Sequence, residues 1–162
     1  MATTTMALIG KQTVGADGAS SVTFSNIPQT YTDLQLVMSL RGNGSSYSGS
    51  GIDGTSIKLN GATTNYSWRQ IYGTGTGVGS TSGSSILYLG IIDGSNATTN
   101  TFSSHSVTIP NYTSSNYKSL SIDTTTEHNG SEAYAQLIAG LWSNTSATTS
   151  IDRKSTRLNS SH

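Results

Sequence analysis

Few side chains in this sequence belong to the types that carry out acid–base or nucleophilic chemistry. Of three histidines, His105 shares a predicted strand face with Val107 and Ile109, which favours a place in the core or on a sheet surface. His128 precedes Asn129-Gly130, a pair typical of turns. Two isolated histidines and scattered carboxylates form no triad, no HExxH spacing and no carboxylate pair, so we predict no enzyme activity.

Metal and cofactor sites are also not predicted. The chain has no cysteine, which excludes disulfides and thiolate metal ligands. The alternating glycines from Gly73 to Gly79 lack the Lys-Ser/Thr of a P-loop and the βαβ setting of a dinucleotide site. Asp53-Gly54 and Asp93-Gly94 are interpreted as turns, because no calcium-loop pattern follows either pair.

Aromatic residues are the one feature of the composition that favours recognition. The chain has eight Tyr and two Trp, and several stand beside Asn. Such rings stack on sugars or anchor protein interfaces, although strand propensity alone also accounts for them. The candidates for ligand or partner contact are Tyr47, Tyr66, Trp68, Tyr112 and Tyr117.

The C-terminal segment Asp152 to His162 matches, over eleven consecutive residues, the translation of a common sequencing-library adapter. We therefore expect one domain over residues 1–151 and a tail over residues 152–162 that is not part of the fold. Without the tail, five basic and seven acidic residues remain, a net charge of −2. So few cations argue against nucleic-acid binding. No apolar run approaches the length of a membrane span, so membrane insertion is not predicted either.

Alternation of apolar and polar residues predicts an all-β fold. It is clearest in Asp33 to Arg41, where Leu34, Leu36, Met38 and Leu40 share one face that we expect to lie in the core. The other predicted strands are Leu8 to Val14, Ser21 to Ser25, Ser56 to Asn60, Tyr66 to Tyr72, Ser85 to Ile92, Phe102 to Ile109, Lys118 to Thr126 and Glu132 to Trp142. Nine short strands between turn residues are typical of an antiparallel β-sandwich, here of jelly-roll type.

The segment Ala133 to Trp142 is apolar on both faces. It predicts a central strand covered on both sides, with a short buried helix as the alternative. The Gly/Ser-rich segments Gly42 to Gly54 and Gly73 to Ser84 are expected to be exposed loops, because neither can bury enough apolar surface to offset the entropy of ordering.

Four motifs resemble a family of uncharacterised structural proteins from marine and cyanobacterial phages. They are Val22-Thr23-Phe24-Ser25-Asn26-Ile27-Pro28-Gln29-Thr30-Tyr31-Thr32-Asp33-Leu34, Leu59-Asn60-Gly61 with Asn65-Tyr66, Ile109-Pro110-Asn111-Tyr112, and Gly140-Leu141-Trp142-Ser143-Asn144. The resemblance covers nearly all of residues 6–151. It departs at Leu59, where the family often has an aromatic residue, and it stops before the family's C-terminal segment. A jelly roll that lacks its C-terminal strand is therefore expected.

The resemblance implies a virion component, such as a tail, fibre or decoration protein, and offers no catalytic residues to transfer. It implies other virion proteins as partners, a homo-oligomer, and a host surface glycan if the protein binds a receptor. The motifs also have a structural interpretation, since proline ends strands and tyrosine packs at sandwich corners. A carbohydrate-binding module of a secreted or surface bacterial protein is the alternative.

Overall fold

The computed structural model describes residues 6–44, 51–130 and 132–155. This part of the chain contains ten strands and no helix, which confirms the predicted all-β class, and it offers no helix that could cross a membrane. The strands are β1 (Ser21–Phe24), β2 (Leu34–Leu40), β3 (Ile52–Leu59), β4 (Tyr66–Gly73), β5 (Val78–Gly83), β6 (Leu87–Asp93), β7 (Ser103–Ile109), β8 (Lys118–Glu127), β9 (Ala133–Trp142) and β10 (Ile151–Ser155).

The strands form two antiparallel sheets, as in a β-sandwich. The four-stranded sheet has the order β1-β10-β3-β6, and the six-stranded sheet has the order β2-β7-β8-β9-β4-β5. Strand β6 contacts β7, β8, β9 and β4, so it closes one side of the core against the larger sheet. In the larger sheet, β7 and β8 contribute alternate residues to the core, whereas β6 of the smaller sheet is buried at every position.

Strand β2 has the register that the sequence predicts. Leu34 is buried, and Leu36 and Met38 pack against the core cluster. Gln35 and Val37 point to solvent from the opposite face. The predicted inward face is therefore confirmed for Leu34, Leu36 and Met38, whereas Leu40, at the end of the row, is half-buried and is not part of the core cluster.

Strand β9 is central, between β8 and β4, which confirms the strand prediction and excludes the helix alternative. Its inner face, with Ile138 and Trp142, is buried. Its outer face is not covered, because Ala135 and Ala139 are exposed and Leu137 is 47% exposed. The prediction of a strand covered on both sides is wrong, since the described part of the chain places no third layer over this sheet.

Three local predictions are also wrong, one of them in part. Residues 8–14 form no strand and are exposed. The exposed loop expected over Gly42 to Gly54 ends in a strand, because Ile52, Asp53 and Gly54 begin β3 and are buried. The loop expected between Gly73 and Ser84 contains strand β5, in which Gly79 and Gly83 lie beneath aromatic rings of β4. A glycine has no side chain to contribute to packing. Aromatic rings that lie over the glycines supply this contact, so a glycine-rich segment can pair as an edge strand.

The end of the chain departs most from expectation. Residues 151–155 form β10, which pairs with β1 on one side and with β3 on the other. Residues 152–155 of the expected tail are thus paired within the four-stranded sheet. Strand pairing uses backbone N–H and carbonyl groups, so it does not depend on particular side chains. The alternate residues Ile151 and Arg153 point inward and are buried. The adapter origin of this segment stays a prediction, and residues 156–162 lie outside the described part.

Candidate functional site

The motifs that carry the family resemblance meet at one end of the sandwich, around the connection 143–150 between β9 and β10. Asn60, at the end of β3, accepts hydrogen bonds at Oδ1 from the N–H groups of Thr149 (2.8 Å) and Ser150 (3.1 Å). Its Nδ2 donates to the carbonyl of Ala147 at 2.8 Å. One asparagine side chain therefore holds the segment that leads into β10.

The two proline-containing motifs are joined to each other at the same end. The buried Tyr112 hydroxyl donates to the carbonyl of Pro28. The N–H of Asn111 donates to Asp33 Oδ1 at 2.9 Å, and the N–H of Thr148 donates to the carbonyl of Tyr112 at 2.8 Å. These bonds tie the turn before β2, the turn after β7 and the 143–150 connection into one unit.

The remaining pair of motifs meets inside the core. The rings of Tyr66 and Trp142 stack with centroids 6.3 Å apart, and the Tyr66 hydroxyl accepts from the N–H of Leu59 at 2.9 Å. Burial raises the pKa of Tyr66, and the bond to Leu59 partly offsets that rise. The contacts of all four motifs support the structural interpretation of these residues over a ligand site.

The structure does not bring the four predicted contact residues that it describes together into one site. Tyr66 and Tyr112 are buried in the core, so they are unavailable to a ligand, and their prediction is corrected. Trp68 is half-buried: its ring lies 4.9 Å from that of Tyr88, and a Cβ placed at Gly83 would come within 2.7 Å of it. The residue that remains open to solvent is Tyr117, at 59% exposure.

The fifth of these residues, Tyr47, lies outside the described part of the chain. The sequence also assigned Asp53 and Asp93 to turns, but both lie within strands, Asp53 in β3 and Asp93 at the end of β6. Both residues are fully buried. The two carboxylates lie on opposite faces of the β3–β6 pair, because Asp93 pairs with Ile52 and Asp53 pairs with Ile92.

The interior contains a polar layer that joins the two sheets. Gln136 of β9 accepts the N–H of Ile91 at Oε1 and donates from Nε2 to Gln70, both at 2.8 Å. Thr126 donates to the carbonyl of Ile91, also at 2.8 Å. The backbone N–H and carbonyl of Ile91, on the free edge of β6, are thus hydrogen-bonded by side chains of the opposite sheet. Gly90, with φ +109°, makes room for this layer, because a Cβ there would lie 2.5 Å from Thr124 Cγ2.

His105 belongs to the same layer. Its ring nitrogens lie 3.2 Å from the carbonyl of Leu89 and 3.2 Å from Ser103 Oγ. Burial, reinforced by the positive charge of Arg153, lowers its pKa to about 4. The sequence-based preference for a structural histidine therefore agrees with its position.

Arg153 brings a cation into this interior. Its Nε donates to Thr55 Oγ1 at 3.1 Å, and burial lowers its pKa while the carboxylate of Asp53 opposes that shift. Within residues 6–44, 51–130 and 132–155, no three His, Cys, Asp or Glu side chains lie together in a way that could hold a metal ion. The polar layer connects the sheets and faces no solvent.

The surface feature most suited to binding is the outer face of the six-stranded sheet. Leu137 of β9 pairs with Ile71 of β4, which is 61% exposed, and Ala139 and Ala135 continue the row along β9. Around this row the outward residues are mostly Ser and Thr of β5, β7 and β8. A flat, well-paired sheet presents these side chains in fixed positions, which suits contact with another macromolecule.

A cavity of about 90 Å³ lies between β1 and β2, where both sheets have a free edge. Its walls include Phe24, Ile27, Leu34 and Leu36, and Ile9 of the N-terminal segment lies over it. This volume is well below the roughly 300–1,000 Å³ of pockets that enclose small-molecule ligands. The outer sheet face is therefore the stronger candidate for function.

No protein-family profile, curated protein or solved structure matches this chain.

Proposed function

We propose that the protein is a non-enzymatic structural component of a bacteriophage virion, such as a tail, fibre or decoration protein. The observation that carries the proposal is the exposed apolar row of Leu137, Ile71, Ala135 and Ala139 on a rigid six-stranded sheet. Surfaces of this kind bind other proteins, and a virion component works by such contacts. The resemblance of the four motifs to phage structural proteins supports the same role.

The order of the strands supports a jelly-roll assignment. An eight-stranded jelly roll has sheets in the orders 1-8-3-6 and 2-7-4-5. The smaller sheet here follows the first order, with β10 as the last strand, and the larger follows the second with the hairpin β8–β9 inserted between β7 and β4. Jelly rolls occur in viral capsid and lectin domains. Because one fold can host many functions, the proposed role rests on the outer face of the sheet and not on the fold alone.

The proposed location is the virion, and the proposed partners are other virion proteins and further copies of this chain. A receptor-binding role, with a host surface glycan as ligand, would use exposed aromatic rings, and Tyr117 is available for such stacking. Because one exposed ring is a weak basis for sugar recognition, assembly is the primary proposal.

The test is the complete gene in its genomic setting, followed by mass spectrometry of purified particles from the same source. Neighbouring terminase, portal and tail genes, together with peptides of this protein in the particles, are the expected result. Neighbouring glycoside hydrolase genes or a secretion signal would instead favour the carbohydrate-binding module and refute the virion role.

A further inference from the structure

The outer face of the six-stranded sheet carries two opposite charges on either side of its apolar row. Arg69 of β4 pairs with Ala139 of β9, and Asp123 of β8 pairs with Leu137 of β9. All four residues point outward from the sheet. The cation and the anion thus flank β9 and are offset by two residues along it.

We propose that two copies of this chain pack face to face through this surface, about a two-fold axis that runs parallel to the strands along β9. The inference deepens the assembly role proposed above by naming the surface and its first partner, a second copy. In such an isologous contact every interaction occurs twice.

The two-fold axis makes the charges complementary. Rotation about β9 places β4 over β8 of the partner subunit. In this register Ile71 lies opposite Asp123 of the partner subunit, and Arg69 lies opposite Ser121 of the partner subunit, two residues along the strand. Arg69 can therefore reach Asp123 of the partner subunit across this offset, and the reverse pair forms at the same time. The two residues are offset by about 7 Å along the strand, and packed sheets lie about 10 Å apart. A long arginine side chain can span this combined separation. Within the described part of the chain, neither Arg69 nor Asp123 has an ion-pair partner.

The apolar row fits the same arrangement. Leu137 lies near the axis and meets its own copy, while Ala135 and Ala139 leave room for that contact and for the neighbouring Ile71. Glu127, at the end of β8, is the other charged residue on the outward positions of this six-stranded sheet, and its side chain accepts from the N–H of Asn129 at 2.7 Å. The centre of the face therefore brings no like charges together across the axis.

The size of the overlapping face is at the lower end of what a specific dimer uses. With the axis along β9, β4 lies over β8 and β5 lies over β7 of the partner subunit, so five strands overlap. Five strands about 4.8 Å apart and seven residues at about 3.4 Å each define an area of roughly 570 Å². Standard interfaces bury about 600–1,000 Å² on each partner, and side-chain relief adds to the flat area.

The experiment is a charge-reversal exchange measured by sedimentation velocity over a range of concentrations. Wild type is expected to form a dimer. Arg69→Glu and Asp123→Arg are each expected to weaken it about tenfold or more, because each places like charges in contact twice. An equimolar mixture of the two single variants is expected to restore a dimer, since both ion pairs re-form between unlike chains, and native mass spectrometry identifies that heterodimer.

The controls separate this contact from general effects of charge and hydrophobicity. Lys11→Glu changes the net charge by the same amount as Arg69→Glu, at an exposed site outside the sheets, and is expected to leave the dimer intact. Leu137→Lys is expected to abolish the dimer, whereas Leu8→Lys, at an even more exposed leucine, is expected to have no effect. Circular dichroism checks that each variant is folded.

A monomeric wild type at all concentrations, an oligomer that survives Leu137→Lys, or a mixture that does not form heterodimers would overturn the proposal. A glycan or an unrelated protein bound to this face by a monomeric chain would also overturn it. The virion assignment is decided separately by gene neighbours and particle composition, so one proposal can fail while the other stands.

Discussion

Replacing Asn60 tests whether the end of the sandwich around residues 143–150 is a structural latch, as its contacts indicate, or a ligand site. Asn60→Ala removes two hydrogen bonds from backbone N–H groups and one to a backbone carbonyl. The exposed Thr149 hydroxyl also donates to Asn60 Oδ1, at 3.2 Å, but it can bond to water instead. At a net value of about 1 kcal/mol each, these bonds contribute roughly 3 kcal/mol. Asn60 also has φ +52°, and alanine in that region costs about 1 kcal/mol more.

The matched control is Asn65→Ala. Asn65 has a similar backbone conformation, with φ +67°, but its side chain makes no hydrogen bond to the described residues, so this variant should lose only about 1 kcal/mol. Asn60→Gly relieves the backbone strain and should lose about 3 kcal/mol through the missing bonds alone. Urea denaturation measures all three variants, and the slope of the free energy of unfolding against urea concentration should stay constant.

The expected difference between Asn60→Ala and Asn65→Ala is therefore about 3 kcal/mol, or about 6–12 °C in Tm for a domain of this size. A difference below about 1 kcal/mol would refute the latch. In that case the bonds around residues 147–150 would contribute little to stability, and the motif would need another explanation, such as binding.

Three further predictions concern the interior and the chain end. His105 has a folded-state pKa of about 4 against an ordinary 6.5, so the unfolded state takes up the proton first as the pH falls. The free energy of unfolding should therefore be constant above pH 6.5 and fall by roughly 3 kcal/mol between pH 6.5 and 4. Denaturation measured against pH should show this fall in wild type and a flatter profile in His105→Gln. Gly90→Ala should cost about 3 kcal/mol or more in urea denaturation, because it adds a clash with Thr124 to backbone strain, whereas Gly18→Ala, with φ +75° and open space, should cost about 1 kcal/mol. Deleting residues 152–162 removes most of β10 and should lower the free energy of unfolding by more than about 1 kcal/mol, and an unchanged melting curve would show that the segment is not part of the fold.

The sequence alone determined the class of the fold and most of its strands. The alternation in β2 and in β7 to β9 is a local signal, because side chains on a strand point to opposite faces with a period of two residues. It therefore identified the inward row of Leu34, Leu36 and Met38 correctly. It also favoured a structural position for His105, in the core or on a sheet surface, since that residue shares its strand face with Val107 and Ile109.

Tertiary structure decided which faces and edges are covered, because partners distant in the chain supply that cover. Strand β10 forms because β1 and β3 both offer backbone groups, and β5 forms because rings of β4 lie over its glycines. The same cause buries Tyr66 and Tyr112, which composition alone made look like binding residues. It also leaves Leu137 exposed on a strand that is apolar on both faces, since only the packing of the two sheets determines which side of β9 faces solvent.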